Sequence, residues 1–82
     1  MSSVTVETGT RASEMNVTAD ELILHLVDGR SISVPLVWFP RLLHASTEQR
    51  SAGRIIGDGE YLTWPELDED ISVAGLLRGS RP

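Results

Sequence analysis

The sequence predicts a small single domain of the α+β class, in which two β-hairpins form a sheet packed with one main helix and short helical turns. Its length of 82 residues suffices for one domain and no more. Two runs of alternating apolar residues each surround a glycine-containing turn, as β-hairpins do. Between the hairpins the apolar spacing lengthens to four residues, which is typical of a helix. Hairpin, helix, hairpin and short helix, in that order, define an α+β domain.

Residues 22–27 and 30–34 form the first predicted hairpin, because Asp28-Gly29 between them favours a tight turn. A two-residue loop would place the leucines of the first strand and the apolar residues of the second on opposite faces. A three-residue loop with Gly29 in a bulge pairs Leu24 with Ile32 and Leu22 with Val34. That register places five apolar side chains of the two strands on one face, with Ser31 and Ser33 on the other, so we predict the three-residue loop.

The main helix is predicted for residues 36–44, after Pro35 has ended the preceding strand. Trp38 with Leu42, and Phe39 with Leu43, are pairs four residues apart. Pro40 must then lie in the first turn, where its missing N–H costs little.

A capping box is predicted next, from Ser46 to Gln49, with a short helical turn that Gly53 ends. The second hairpin follows, with residues 54–56 and 61–64 on either side of residues 57–59, and Pro65 ends it. Ser72 is expected to cap a last short helix that Gly79 stops. We expect one buried cluster that includes Leu24, Ile32, Leu42, Leu62, Trp64 and Leu76.

The domain boundaries follow from composition. Residues 1–14 are mostly polar and are predicted to be a flexible tail, residues 15–79 the compact domain, and residues 80–82 a frayed end. Val4 and Val6 alternate with threonine, so an edge strand or a swapped arm remains an alternative for the tail. The sequence has no cysteine, no signal-peptide pattern and no apolar run long enough to cross a bilayer. We therefore predict a cytoplasmic protein without membrane contact.

Charge restricts the classes of partner. The chain has seven arginines, no lysine and a formal net charge of −5. Phosphate binding needs clustered cations, whereas these arginines are scattered, so nucleic acid is not an expected partner. A basic protein is the predicted partner, with a homodimer as the alternative.

Three segments together resemble a known family. They are residues 35–42 (PLVWFPRL), residues 56–59 (IGDG) and residues 64–73 (WPELDEDISV). With the Asp28-Gly29 hairpin they resemble the bacterial family catalogued as domain of unknown function 2442. The resemblance implies a compact α+β domain, no established catalytic residue and, from the genes beside some relatives, a toxin–antitoxin or similar paired module. Relatives tend to have asparagine and an aromatic residue after the capping-box turn, where this chain has Ser51-Ala52-Gly53.

A run of carboxylates is the most unusual feature of the sequence. Within thirteen residues and without one cation lie Asp58, Glu60, Glu66, Asp68, Glu69 and Asp70. Three interpretations remain open: solvated or helix-capping residues, with Asp70 at the start of the last helix; a partner-binding surface; and a divalent metal site. The calcium-loop spacing of an EF-hand is missing, so we predict no metal and no cofactor.

Other candidate residues have structural explanations. His25 is predicted to point away from the leucines of its strand, and His44 to end the main helix. Trp38 and Trp64 are predicted to be core residues near its rim. Arg41 is expected to bind the carboxylate of Asp68 or Asp70 through two parallel hydrogen bonds.

The predicted function is that of an interaction module, as the acidic partner in a toxin–antitoxin-like pair. Its candidate partner-binding residues are Glu60, Tyr61, Glu66, Leu67, Asp68, Glu69 and Arg41. A homo-oligomeric or small-ligand-binding domain without catalysis is the alternative. A carboxylate-based enzyme comes third, because the sequence has no nucleophile–base pair, no Gly-x-Ser-x-Gly elbow and no metal-ligand cluster.

Overall fold

The computed structural model describes residues 11–78, which form two three-stranded antiparallel sheets and three short helices. The first sheet contains β1 (Ala12–Val17), β2 (Glu21–Leu26) and β3 (Ser31–Pro35), in that order. The second contains β4 (Arg54–Ile56), β5 (Tyr61–Trp64) and β6 (Glu69–Ser72), again in chain order. The helices are α1 (Pro40–Leu43), α2 (Thr47–Ser51) and α3 (Val73–Leu77). The predicted α+β class is confirmed, although the two hairpins belong to separate sheets and each has a third strand.

The predicted register of the first hairpin is confirmed. Leu24 pairs with Ile32 and Leu22 with Val34. The Asp28 carboxylate holds the turn, since it accepts hydrogen bonds from the backbone N–H of Arg30 at 3.1 Å and from its Nε at 2.8 Å. The backbone N–H of Arg30 lowers the pKa of Asp28, with the guanidinium as a further cause, while desolvation opposes them.

Strand β1 was not predicted. It pairs Met15 with Leu24 and Val17 with Leu22, but the register shifts between Ala12 and Glu14. That irregularity interrupts the alternation by which a strand is recognised in sequence. The strand begins at Ala12, three residues before Met15, where the compact domain was predicted to start. The rest of the predicted tail up to residue 10, with Val4 and Val6, lies outside the described residues, as do residues 79–82.

The predicted main helix over residues 36–44 is wrong in its extent. A 3₁₀ turn, Leu36–Trp38, is separated from α1 by Phe39, whose φ of −131° and ψ of 82° are not helical. Pro40 explains the break, because a proline disfavours the helical conformation of the residue before it. Pro40 itself lies in the first turn of α1, as predicted, and His44 follows the last residue of the helix.

The capping box of α2 is confirmed in both directions. The Ser46 hydroxyl accepts from the backbone N–H of Gln49 at 3.1 Å, and the Gln49 side chain accepts from the backbone N–H of Ser46 at 3.0 Å. Helix α2 in turn holds the end of α1, because Arg50 donates to the carbonyls of Leu42 at 2.9 Å and Leu43 at 2.6 Å. The two short helices are thus linked where unpaired carbonyls need donors.

The second predicted hairpin, β4 to β5, is confirmed, and β6 is an addition to it. Ile55, Leu62 and Ile71 lie side by side across the three strands on the inner face. The Ser72 hydroxyl caps α3 by accepting from the backbone N–H of Gly75 at 3.2 Å, as predicted. No helix among the described residues is long and apolar enough to cross a membrane.

Both sheets contribute to one buried cluster. The six predicted core residues belong to it or, in the case of Ile32, pack against it half-buried. Trp64 is only 1% exposed, so its predicted place near the rim is wrong, and its indole N–H donates to the Arg50 carbonyl at 2.9 Å. Trp38 is half-buried at the edge of the cluster.

Candidate functional site: the outer face of the second sheet

The second sheet turns one face towards solvent. Because strand residues alternate between faces, side chains from two cross-strand rows lie together on this side. We call them the outer face: Arg54, Thr63 and Asp70 form one row, and Ile56, Tyr61 and Ser72 form the other. All are exposed except Thr63, which is half-buried.

Two large apolar side chains lie next to each other on the outer face. Ile56 and Tyr61 are direct cross-strand partners and are 45% and 47% exposed. Single exposed apolar residues are ordinary, but adjacent ones provide area that a partner can cover. Val37, with 66% exposure, is the most exposed large apolar residue of the described chain and lies in the turn after β3 instead.

The predicted acidic surface is divided by the sheet. Glu60 precedes β5, and Glu66 and Asp68 follow it, all three exposed. With a rise of about 3.3 Å per residue, the four-residue strand separates these two groups by roughly 13 Å. Asp58 joins the Glu60 end, in a left-handed conformation with φ of 61°. Carboxylates therefore lie at both ends of β5 rather than in one strip, and Ile56 and Tyr61 lie at the Glu60 end.

Glu69 and Asp70 point to opposite faces of β6. Glu69 pairs with Trp64 and is half-buried on the inner face, whereas Asp70 lies on the outer face. Desolvation raises the pKa of Glu69, the charge of Arg41 lowers it in part, and Asp70 adds a smaller increase. Leu67 is half-buried in the turn Pro65–Leu67 and packs against the core.

Arg41 binds the acidic turn, but through an acceptor that was not predicted. Its Nη1 donates to the backbone carbonyl of Asp68 at 2.6 Å, not to a carboxylate of Asp68 or Asp70. Asp68 has a left-handed conformation with φ of 56°, which turns the chain from Pro65–Leu67 into β6. Arg41 therefore ties α1 to the second sheet, a structural role that leaves its remaining N–H groups for other contacts.

Asp70 does not cap the last helix. It lies within β6, where its Oδ1 accepts from the Thr63 hydroxyl at 2.5 Å, and Ser72 is the capping residue. Asp70 therefore lies two residues before the cap of α3, and its carboxylate is bound by the Thr63 hydroxyl.

Three shallow clefts border the second sheet and α2. One of about 140 Å³ is lined by Glu60, Tyr61, Ser72 and Ala74. A second of about 120 Å³ lies between α2 and the end of β5, over Trp64 and Pro65. The third, of about 180 Å³, lies between β1 and α2 and is lined in part by Ser51 and Gly53. All are smaller than the roughly 300–1,000 Å³ of an ordinary small-molecule pocket.

The histidines belong to other parts of the molecule. His25 lies on the exposed face of the first sheet, where its Nδ1 is 2.8 Å from the Ser31 hydroxyl. Its cross-strand neighbour on the other side is Glu14. Neither His25 nor Ser31 lines the three clefts, and an exposed sheet face gives a substrate no enclosure. Within residues 11–78, no three histidine, aspartate or glutamate side chains are grouped closely enough to hold a metal ion.

Sequence reasoning placed Tyr61 and Glu60 at the site but missed Ile56, Arg54, Thr63 and Ser72. The alternation of the second hairpin already predicts that Tyr61 and Thr63 share a face. Applied to the partner strand, the same rule would have paired Ile56 with Tyr61. Ser72 could not be placed on this face from the sequence, because β6 was not predicted.

Comparisons with known proteins agree with this architecture. The family model described as "protein of unknown function (DUF2442)" matches residues 12–82. A crystal structure of a protein of unknown function from Rhodospirillum rubrum is similar, with 31% identity and a TM-score of 0.75 over 88% of this chain and 89% of that chain. The solution structure of an uncharacterised protein from Chromobacterium violaceum shares the fold, with 22% identity and a TM-score of 0.73 over 88% and 68% of the two chains. No curated protein matches the chain.

Proposed function

Since the chain belongs to the DUF2442 family, a family of unknown function, we propose that it is a binding module without catalytic activity. Its contact surface is the outer face of the second sheet, and its partner is a cationic protein. The observation that supports this best is the pair Ile56 and Tyr61, which are adjacent and each almost half exposed. Aromatic side chains at the centre of a contact supply most of the affinity that charges alone do not.

Charge indicates the kind of partner. The chain has a formal net charge of −5. Asp58 and Glu60 lie at one end of β5, and Glu66 and Asp68 at the other. Such an arrangement attracts a basic surface and rejects an acidic one.

The finer form of the proposal is that this module is the acidic partner of a toxin–antitoxin-like pair in the cytoplasm. The gene neighbourhood implied by the family resemblance supports a paired protein. The cysteine-free composition is compatible with a reducing compartment. Nucleic acid is not the proposed partner, since the face has one arginine, Arg54, opposed by Asp70 in the same row, and further carboxylates lie at both ends of β5.

The alternatives are less well supported by the geometry. A homodimer through the outer face would bring two chains of like net charge together, which is unfavourable at low ionic strength. A small-ligand site needs a deeper pocket than the three clefts that residues 11–78 form. A carboxylate enzyme needs two carboxylates facing one cavity, and Glu69 and Asp70 point to opposite faces of β6.

Site-specific photo-crosslinking in the native host tests the proposal. A photoreactive phenylalanine analogue at position 61 should capture one basic protein, and the same analogue at position 56 should capture it too. The control position is Val37, which is more exposed but lies outside the outer face. Equal capture from position 37, capture of a second copy of this chain, or no capture from position 61 would each contradict the proposal.

A further inference from the structure

The cleft beside Tyr61 is the size of one side chain. It has a volume of about 140 Å³ and lies between Glu60, Tyr61, Ser72 and Ala74. A cofactor or organic substrate normally occupies roughly 300–1,000 Å³, so neither matches this cleft. Resting on the proposed function, we infer that the cleft is an anchor pocket for an arginine side chain of the cationic partner. The guanidinium lies against the ring of Tyr61 and pairs with the carboxylate of Glu60.

The walls of this pocket are held by the backbone. The Glu60 carbonyl accepts from the N–H of Val73 at 3.0 Å, and the Glu60 N–H donates to the Gly57 carbonyl at 3.1 Å. Tyr61 and Ser72 are cross-strand partners. The ring of Tyr61 borders Gly57 so closely that a Cβ there would lie 3.4 Å from Tyr61 Cδ2. The backbone around the cleft is fixed in this way, so only side chains need to be ordered on binding.

The local charge favours a cation. Glu60 is exposed, and no arginine within residues 11–78 forms an ion pair with it. Asp70 lies on the same face, two residues along β6 from Ser72. The cation of the outer face, Arg54, lies one strand and two residues away from Tyr61, about 8 Å by ordinary strand and residue spacing. Asp70 lies in the same cross-strand row as Arg54 and carries the opposite charge, so it offsets part of the repulsion at the pocket.

An arginine is favoured over a lysine by the chemistry of the walls. A planar guanidinium stacks on an aromatic ring and is more weakly hydrated than an ammonium, so it leaves water more readily. Its several N–H groups can also bind the Glu60 carboxylate and the Ser72 hydroxyl at once. That hydroxyl oxygen accepts one hydrogen bond, from Gly75, and retains capacity for another.

A titration followed by NMR tests the inference with a defined probe. The probes are the blocked tripeptide acetyl-Gly-Arg-Gly-amide and its citrulline isostere, which has the same shape but no charge. The arginine peptide should shift the backbone amides of Tyr61, Ser72 and Ala74 and bind about threefold to fivefold more tightly than the citrulline peptide. A third peptide, acetyl-Gly-Lys-Gly-amide, should bind more weakly than the arginine peptide, because an ammonium group is more strongly hydrated and cannot stack on the ring.

Variants separate the pocket from general charge. Glu60→Gln and Tyr61→Leu should each weaken the arginine peptide by about threefold. Glu66→Gln is the matched control, because it removes the same charge from the other end of β5 and should change nothing at the pocket. Glu60 and Tyr61 are both exposed, so their substitution should leave the fold intact. Unchanged amide signals outside the pocket will show that the variants fold.

Several outcomes would overturn the inference. They are equal binding of the citrulline peptide, shifts centred elsewhere, no shift at all, and amide shifts that follow protein concentration without peptide, which would indicate a second copy as occupant. If the NMR titration fails but position 61 still crosslinks to a basic protein, the arginine pocket is wrong and the proposed function stands. If the crosslinking fails but the arginine peptide binds, the proposed function is wrong and the pocket stands.

Discussion

Gly53 and Trp64 are in contact, with no space between them for a side chain. A Cβ at residue 53 would lie 2.5 Å from Cε2 of the indole and 2.8 Å from Cε of Met15. The indole cannot withdraw, because it is 1% exposed and its N–H donates to the Arg50 carbonyl. A glycine at residue 53 is therefore required by the packing of the core tryptophan.

The first prediction follows directly from that contact. Gly53→Ala should lower the free energy of unfolding by about 1–3 kcal/mol, since the new methyl group overpacks a rigid part of the core. Gly75→Ala is the control, because its Cβ would meet only Ser72 atoms at 3.6 Å or more. In a helix that change should stabilise by about 0.5–1 kcal/mol. Equal denaturant midpoints for the two variants would contradict the packing argument.

The second prediction concerns Leu24, which is completely buried and pairs with Ile32 on one side and Met15 on the other. Leu24→Ala should cost about 2–5 kcal/mol, a large part of the stability of so small a domain. Val37→Ala, at a residue that is 66% exposed, should change stability by less than about 0.5 kcal/mol. Chemical denaturation measures both. If the Leu24 variant unfolds at the wild-type midpoint, the register does not bury this side chain.

The third prediction uses the raised pKa of Glu69. At pH values above 4.5, the ordinary pKa of this carboxyl, the raised pKa keeps it protonated in a larger fraction of folded than of unfolded chains. The free energy of unfolding therefore falls as the pH rises through that interval, and the loss persists at neutral pH. A glutamine at residue 69 does not ionise. The difference in free energy of unfolding between Glu69→Gln and wild type should therefore shift in favour of the variant from about pH 4 to about pH 7.

Denaturant titrations at the two pH values measure this difference. Glu21→Gln, at an exposed position of β2, is the control for the loss of one carboxylate. Arg41 offsets part of the burial effect, so the same comparison in an Arg41→Ala background should show a larger increase. A stability difference between Glu69→Gln and wild type that does not depend on pH would show that burial does not disfavour the charge.

Local chemistry explains which parts of the fold could be predicted. The turn at Asp28-Gly29, the capping box from Ser46 and the break at Pro65 each depend on residues close in sequence, and all were confirmed. Strand β6 could not be predicted in this way. Its one core residue is Ile71, and the strand forms because β5 offers it hydrogen-bonding partners. Tertiary context overrides the low strand propensity of Glu69 and Asp70.

The candidate site shows the same division between local and tertiary information. Tyr61 and Glu60 were identified from composition, and the structure places both at one cleft. The separation of the six carboxylates into two ends and two faces depends on where β5 and β6 lie. Arg41 was correctly directed towards the acidic turn, but a backbone carbonyl in a left-handed turn is an acceptor that residue types do not indicate.

The last prediction concerns the rate of association with the cationic partner. The triple variant Glu60→Gln, Glu66→Gln and Asp68→Asn should bind the partner several-fold more slowly at low salt, because these exposed carboxylates lie at the two ends of β5 and steer the encounter. The variant Glu14→Gln, Glu21→Gln and Glu48→Gln loses the same charge from β1, β2 and α2 and should bind at close to the wild-type rate. The association rate constants of the two variants are compared by stopped flow, with the purified protein that the crosslinking identifies as the partner.

Salt dependence distinguishes local steering from net charge. Glu60 and Glu66 are separated by roughly 13 Å along β5. That distance exceeds the Debye length of about 8 Å at physiological ionic strength and is well inside the length of about 30 Å at 0.01 M. The two ends should therefore act together at low salt and independently near 0.15 M. If both triple variants slow association equally at every salt concentration, only the total charge matters, and the outer face is not the surface that the partner approaches.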